Sequence, residues 1–414
     1  MDEAKQKFRL TSLERAWILY DVGNSAFVLL VATLIPIFFN ALAEGGGLSS
    51  VEYLAYWGYA ASAVTVITAV LSPILGTLAD TRNFKKPIFI FCVAVGVIGC
   101  CAMGMASTWL PFLLIFIFAK VGFSGSLVFY DSMLGDVTVP DRMDEVSSKG
   151  YAWGYIGSCV PFVVCLALVL GAGSIGISQM TALNLALFIT AAWWLVTTLP
   201  LLRQYKQVHF VEVQEHAIRQ SFARIGHTLR HLKEDRQVFW FLLAFFCYID
   251  GVYTIIDMAT AYGTALGLDT TGLLLALLVT QIVAFPSALV FGRLSGQYPS
   301  GTLIPVCIAA YAGIALFAFF LKHQWQFWVL AVVVGMFQGG IQALSRSHFA
   351  KIIPPEKSGE YFGLFDICGK GASFLGTMIV SVGSQLTGSA NVGVGSLIVL
   401  FIVGFVLFRV SDQK

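Results

Sequence analysis

Residues 110–138 read LPFLLIFIFAKVGFSGSLVFYDSMLGDVT, and this stretch contains the two properties that decide the fold. It is long and apolar enough to cross a membrane as a helix, because about 20 helical residues span a hydrocarbon core of about 30 Å. Near its middle it carries Lys120, and Asp131 follows at the spacing of about three helical turns. A charge at bilayer depth costs at least about 2.5 kcal/mol, so we expect it to face a partner or a water-filled cavity and to be functional.

The whole chain repeats this apolar pattern. Of its 414 residues, 57% are hydrophobic and only 12% are charged, whereas soluble domains carry about 25% charged residues. The first apolar run, after the polar residues 1–15, is too long for a cleaved signal peptide. All eight cysteines lie inside apolar runs without zinc-ligand spacing, and no basic segment has the pattern of a nucleic-acid binder. We therefore predict a polytopic all-α membrane protein with no cofactor, no metal and no nucleic-acid partner.

We predict twelve transmembrane helices from the apolar runs. Their ranges are 16–43, 52–80, 86–107, 110–138, 148–172, 178–203, 237–264, 270–297, 302–322, 325–349, 359–386 and 391–410. Nearly all Lys and Arg residues outside these ranges fall in the connections on one side, and the other side holds only Lys322. By the positive-inside rule, both chain termini are predicted to be cytoplasmic.

The longest connection divides the chain into two halves. Residues 1–203 and 237–414 are predicted to form two six-helix bundles, with residues 204–236 as the linker between them. Within the linker, apolar residues recur at spacings of four and three, at Ile218, Phe222, Ile225, Leu229 and Leu232. This spacing is typical of an amphipathic helix that lies on the membrane surface.

A short loop motif occurs at corresponding positions of the two halves. Residues 76–86 read GTLADTRNFKK and residues 292–296 read GRLSG. The first copy resembles the loop signature of the major facilitator superfamily, whose architecture is two parallel six-helix halves. Asp80 is predicted to act as a gate latch, either by accepting hydrogen bonds from the N-terminal amides of a neighbouring helix or by pairing with Arg142. A solvated carboxylate beside a basic loop is the alternative.

Longer segments resemble the vacuole-effluxer-like branch of that superfamily, whose members are relatives of autophagy-linked vacuolar amino-acid exporters. They are residues 17–27 (WILYDVGNSAF), 128–131 (VFYD), 146–157 (VSSKGYAWGYIG), 250–256 (DGVYTII), 338–347 (QGGIQALSRS) and 362–366 (FGLFD). The resemblance implies the two-bundle fold and the proton-linked or gradient-driven export of small metabolites such as amino acids. Lys120 departs from the branch, in which we expect a small or neutral residue at that position.

Charged residues near the bilayer midplane define the predicted binding site. A rise of 1.5 Å per residue puts Lys120, Asp250 and Lys370 about 15–20 Å into their helices, and the resemblance places those helices around a central cavity. Asp366 and Lys370 share a helix face at a spacing of four. This spacing is consistent with an ion pair between the two side chains and, alternatively, with a clamp that binds the substrate. The predicted substrate-binding residues are Lys120, Tyr130, Asp250, Tyr253, Asp366 and Lys370. Proton coupling is predicted for Asp131, Asp250 and Asp257, and gating for Asp21, Asp80, Arg142 and Arg346.

Ammonium groups and carboxylates in one cavity suit a zwitterionic or anionic solute. We therefore expect a proton-coupled secondary transporter that works by alternating access and carries a small metabolite such as an amino acid. The alternative is an exporter or flippase of an amphipathic substrate, such as a lysolipid or a drug. The sequence contains no nucleotide-binding loop and no Ser/His pair at a shared depth, so we do not expect an enzyme. The expected partners are the solute, protons and lipids, and the protein is expected to be a monomer in the plasma membrane if its source is bacterial.

Overall fold

A computed structural model describes residues 9–212, 232, 235–265 and 267–412, with the backbone alone at 50, 51, 53, 54, 260, 261, 264, 265, 270, 271, 274 and 370–374. This part of the chain is largely helical. The helices of the first half are α1 (Ser12–Ala32), α2 (Leu34–Gly45), α3 (Ser50–Ala79), α4 (Lys85–Met103), α5 (Trp109–Ser132), α6 (Leu134–Val137), α7 (Pro140–Leu170) and α8 (Gln179–Gln204). Those of the second half are α9 (Arg236–Ala265), α10 (Thr270–Leu294), α11 (Ser300–Phe319), α12 (Gln324–Ile352), α13 (Ser358–Thr387), α14 (Ala390–Gly395) and α15 (Ile398–Ser411).

Eleven helical segments of the described chain are long and apolar enough to cross a membrane, with α1–α2 and α14–α15 each counted as one segment. The twelfth long helix, α13, has 30 residues and includes Glu360, Asp366 and Lys370. The predicted helical membrane fold is therefore confirmed. The helix predicted at 148–172 begins earlier, at Pro140, because Pro fits the first turn of a helix and the polar residues that follow extend the helix beyond the apolar span.

The described residues form two hydrophobic cores. One core is built from residues between Ala16 and Tyr205, and the other from Val128 and residues between Val238 and Phe408. The predicted boundaries at residues 203 and 237 stay a prediction. We call the end of the protein at which α1 begins and α15 ends the terminal face, and the other end the opposite face. That the terminal face is cytoplasmic stays a prediction.

The backbones of the two bundles come into contact where α3 crosses α13 near the terminal face. A Cβ atom added to Gly76 would overlap the carbonyl oxygen of Gly359, and one added to Gly363 would lie 2.8 Å from the Cα atom of Pro73. These helices therefore touch through their backbones. Glycine is required here because any side chain would separate the two bundles.

The start of the linker packs on the terminal face in an extended conformation. The Val211 N–H donates to the Asp80 carbonyl oxygen at 2.8 Å, and the Arg82 N–H donates to the Val211 carbonyl oxygen at 3.1 Å. These two bonds attach the linker to the loop after α3. The amphipathic helix predicted from Ile218 to Leu232 lies outside the described residues except at Leu232, and it stays a prediction.

We predict that Gly76→Leu opens the terminal face, because the added side chain cannot fit against Gly359. Overpacking of this kind costs about 1–3 kcal/mol. The measurement is maleimide labelling of an Ala343→Cys reporter, since Ala343 is fully buried and its carbonyl oxygen accepts a hydrogen bond from Ser147 of the other bundle. The reporter should react several-fold faster.

Gly58→Leu is the matched control for that substitution. Gly58 lies on the same helix, and an added Cβ would meet nothing within 4 Å. The control should leave the labelling rate unchanged. Equal rates for the two variants would show that the α3–α13 contact does not keep the face closed.

Candidate functional site

Arg346 on α12 lies at the centre of a buried network that joins the two bundles. Its side chain is 2% exposed, and one terminal nitrogen donates to Asp131 Oδ1 at 3.0 Å. The other terminal nitrogen lies 3.5 Å from Asp21 Oδ2 and donates to the Ser147 carbonyl oxygen at 3.0 Å. Nε donates to the Ser147 hydroxyl at 2.9 Å. One cation of the second bundle therefore binds α1, α5 and α7 of the first.

Three aromatic rings surround the same guanidinium group. Its central carbon lies 4.6 Å from the ring centroid of Trp17, 5.4 Å from that of Tyr130 and 4.3 Å from that of Tyr151. Trp17 also stacks on Tyr130, with 4.3 Å between the centroids. Such contacts stabilise a cation most strongly when water is excluded. Tyr130, which we predicted to bind substrate, is fully buried in this network.

Further polar bonds cross between the bundles beside Arg346. Asp144 on α7 accepts hydrogen bonds of 2.6 Å from both Ser347 and Lys351 on α12. On the neighbouring side, Ser72 on α3 donates to Asp366 on α13 at 2.8 Å. These contacts lie towards the terminal face, so the structure is closed on that side.

Asp80 completes this closure at the N-terminus of α13. Its carboxylate oxygens accept the N–H groups of Gly359 and Glu360 at 2.7 and 2.8 Å, and Lys85 Nζ lies 3.8 Å away. Free N–H groups and the helix dipole make this helix end a favourable site for an anion. Of the two partners predicted for Asp80, the helix amides are the ones observed. Arg142 pairs with Glu14 at 2.7 Å.

Burial raises the pKa of the Asp80 carboxyl to about 7. Removal from water disfavours the charged form, and this effect exceeds the opposing influence of Lys85 and of the two backbone donors. Lys85 and Glu360 are the charged groups that face this carboxyl. The carboxylate that accepts both amides is therefore the dominant form above about pH 7.

A second group of charged residues lies further from the terminal face. Lys120 Nζ lies 4.8 Å from the ring centroid of Phe123 and is within electrostatic range of Asp257 on α9. Asp257 is exposed although it lies within a membrane-spanning helix. Tyr253, one turn earlier on α9, is close enough to Asp131, Asp257, Asp366 and Arg346 to interact with their charges. These predicted residues therefore form one polar zone between the bundles.

Asp250 lies elsewhere, in the contact between α9 and α13. It is fully buried, and its Oδ1 accepts the Gly376 N–H at 2.9 Å and the Thr254 hydroxyl at 3.4 Å. The structure thus gives Asp250 a bond between two helices of one bundle, and its role in binding or coupling stays a prediction. The Lys370 side chain lies outside the described atoms, so its pairing with Asp366 also stays a prediction.

Sequence reasoning did not select several residues that build the network. The residues that it missed contact the charged groups described above; they are Trp17, Asp144, Ser147, Tyr151 and Lys351. Helical spacing was the available signal, because Trp17 lies one turn before Asp21 and Ser147 one turn before Tyr151. Among the described residues, no group of His, Cys, Asp and Glu is arranged to hold a metal ion.

We predict that Arg346→Gln destabilises the closed state by about 3–5 kcal/mol, because it leaves Asp21 and Asp131 buried without their cation. Thermal unfolding and the labelling rate of Ala343→Cys measure the effect. The matched control is Arg409→Gln on α15, an exposed arginine that contacts the Phe405 ring. Adding Asp131→Asn to Arg346→Gln should recover part of the lost stability of the closed state. No recovery would mean that this pair does not stabilise the closed state.

We predict that closure of the terminal face strengthens as the pH falls through about 7, because burial in the closed state raises the pKa of Asp80, so that state binds the proton more tightly than an open, hydrated state does. Labelling of Ala343→Cys, normalised at each pH to the unfolded protein, should be slower at pH 6 than at pH 8. Asp80→Asn, which cannot titrate, should label at the same rate at both values. Asp269→Asn, which changes an exposed carboxylate that caps α10, should keep the wild-type dependence. A pH dependence that survives in Asp80→Asn would contradict the assignment.

Known proteins resemble this chain in sequence and in fold. The family described as Vacuole effluxer Atg22 like matches residues 12–141 and 135–414. The uncharacterized MFS-type transporter YxiO of Bacillus subtilis (strain 168) is 42% identical over 411 residues, which cover 98% of this chain and 96% of that protein. Autophagy-related protein 22 of Coccidioides immitis (strain RS) is 26% identical over 287 residues, 63% of this chain and 47% of the fungal protein.

Among solved structures, the major facilitator superfamily transporter FucP in the outward conformation superposes with a TM-score of 0.74. The match has 15% sequence identity and covers 97% of this chain and 98% of FucP, so it supports the fold alone. The predicted major facilitator fold is confirmed. The matched family consists of transporters and not of enzymes, as the sequence predicted. Both halves of the chain match the family, and the protein is therefore an integral, multi-pass member of the Vacuole effluxer Atg22 like family of major facilitator transporters.

Proposed function

We propose that this transporter carries a small zwitterionic or anionic metabolite, such as an amino acid, by alternating access between its two bundles. The observation that carries the proposal is the polar zone between the bundles. It combines the cations Lys120 and Arg346 with the carboxylates Asp131, Asp257 and Asp366. Charges at this depth are costly, and in membrane proteins they commonly mark a substrate or ion pathway.

The arrangement of these charges supports a solute that carries charge itself. Lys120 belongs to the first bundle and Asp257 to the second, and the two are within electrostatic range. A zwitterion could bind between them, with its carboxylate at Lys120 and its ammonium group at Asp257. The exposure of Asp257 and the closed terminal face support entry from the opposite face in this conformation.

Proton coupling forms part of the proposal. Asp131 is half-buried and bound to Arg346, so release of the terminal face would free it to take up a proton. Asp257 is the second candidate carrier, because it faces the zone that the solute would enter. The bacterial relative YxiO supports a location in the plasma membrane.

The polar zone gives less support to the alternative function, the transport of an amphipathic substrate. A lysolipid or lipophilic drug needs a largely apolar route, whereas at least five charged residues from both bundles meet here. A charged group without a countercharge in the substrate would be left desolvated, which opposes binding. We therefore favour the polar solute.

We predict that Lys120→Ala and Asp257→Asn each abolish solute movement in proteoliposomes with an imposed pH gradient, because each removes one of the two charges that would bind the solute. Thermal-shift screening against amino acids, organic acids, peptides and lysolipids selects the labelled solutes, since a ligand raises apparent stability. Counterflow measures exchange.

Lys322→Ala and Glu356→Gln are the matched controls, because both change exposed charges outside the polar zone. They should transport at the wild-type rate. Wild-type transport by Lys120→Ala would remove Lys120 from the site. Selective movement of lysolipid, with no charged metabolite carried, would favour the amphipathic alternative.

A further inference from the structure

A separate cavity lies inside the second bundle. Side chains of α9, α10, α11 and α12 form most of its wall, with contributions from Val380, Val394 and Leu397. Its empty volume, which includes space open to solvent, is about 700 Å³. None of the charged residues of the polar zone lines this cavity, although Ile256 and Met258 of its wall flank Asp257 on α9.

The chemistry of the wall is mainly that of hydrocarbon. Aliphatic and aromatic side chains dominate, and none of the described lining residues is charged. The Thr280 hydroxyl donates to the carbonyl oxygens of Ala276 and Ala331 at 3.0 and 3.1 Å. The Thr254 hydroxyl donates to Asp250 at 3.4 Å. Both threonine protons are therefore already used within the protein.

Two amide oxygens of the wall accept no hydrogen bond from the described residues. The Oε1 atoms of Gln281 and Gln338 are buried and accept no hydrogen bond from the described residues, and the Gln338 residue is only 5% exposed. A buried acceptor without a donor is unfavourable, and a donor supplied from outside restores the lost bond. An apolar cavity can also remain dry and take up an apolar molecule. The wall thus offers hydrocarbon contact together with unused acceptors.

We propose that this cavity binds a neutral amphiphile, whose hydrocarbon part packs on the apolar wall while its hydroxyl or amide N–H donates to Gln281 or Gln338. Burial of the chain supplies most of the affinity, and the amide oxygens select molecules with a donor. A fully ionised head group does not fit, because the described wall provides no countercharge.

The cavity also reaches the contact between the bundles. Gln338 interacts with the Tyr155 hydroxyl on α7, and a Cβ atom added to the adjacent Gly339 would lie 3.1 Å from the Tyr155 ring. A ligand bonded to Gln338 therefore contacts a residue that touches the first bundle, and this contact changes if the bundles rock. Binding is thereby linked to the conformation of the transporter.

The first test compares 1-octanol with its isomer heptyl methyl ether, which lacks a donor, on the full protein in lipid nanodiscs. Titration of the thermal unfolding midpoint measures apparent affinity. We expect octanol to bind about tenfold more tightly than the ether, which corresponds to one net hydrogen bond to a buried acceptor. Gln281→Leu should reduce this preference. Equal binding of the two isomers by the wild-type protein would overturn the proposal.

The second test locates the ligand. Ala331→Phe fills the cavity and should abolish octanol binding, whereas its neighbour Val332→Phe, at an exposed position outside the lining, should retain it. A diazirine analogue of 1-octanol should label the wild-type protein within residues 254–262 and 327–338, and excess octanol should prevent the labelling. This measurement decides the matter even if Ala331→Phe does not fold. Labelling confined to lipid-exposed positions would overturn the proposal.

Discussion

The buried guanidinium group of Arg346 is the constraint on which the observed conformation depends. A charge removed from water requires countercharges and hydrogen-bond acceptors close by. Asp21, Asp131 and Ser147 provide them from the first bundle, so the requirement is met only while the two bundles are in contact. Separation at the terminal face must hydrate Arg346 or give it new partners. This condition favours two discrete states over a continuous range of positions.

The contact between α3 and α13 adds a steric condition at the same face. Gly76 and Gly359 let the backbones touch, and this approach brings the N-terminus of α13 within reach of Asp80. The carboxylate then replaces water at the first amides of the helix. Close packing and charge complementarity therefore depend on each other. The linker is attached to the same contact, because the Val211 N–H donates to the Asp80 carbonyl oxygen.

The two halves contribute opposite charges at two levels of the interface. In the network around Arg346, the cation is on the second bundle, and the carboxylates of Asp21 and Asp131 are on the first. In the more exposed zone, Lys120 is on the first bundle and Asp257 on the second. Under the proposed function, a charged solute can substitute for one partner in either pair. Such substitution would couple binding to the movement of the bundles, because an ion pair broken by the solute no longer opposes their separation.

The sequence by itself determined the membrane class, most of the helical spans and the identity of the interior charges. Hydropathy and helix length decide these features locally, since lipid requires every backbone group to be bonded within its own helix. Only the tertiary structure decided which charges meet. Asp80 binds the amides of α13, while Arg142 pairs with Glu14. Asp250 accepts a hydrogen bond from Gly376. Arg346 binds two carboxylates that are far apart in the chain, those of Asp21 and Asp131. Such partners depend on how helices pack across the bundle interface, and the periodicity of a single helix contains no information about its neighbour.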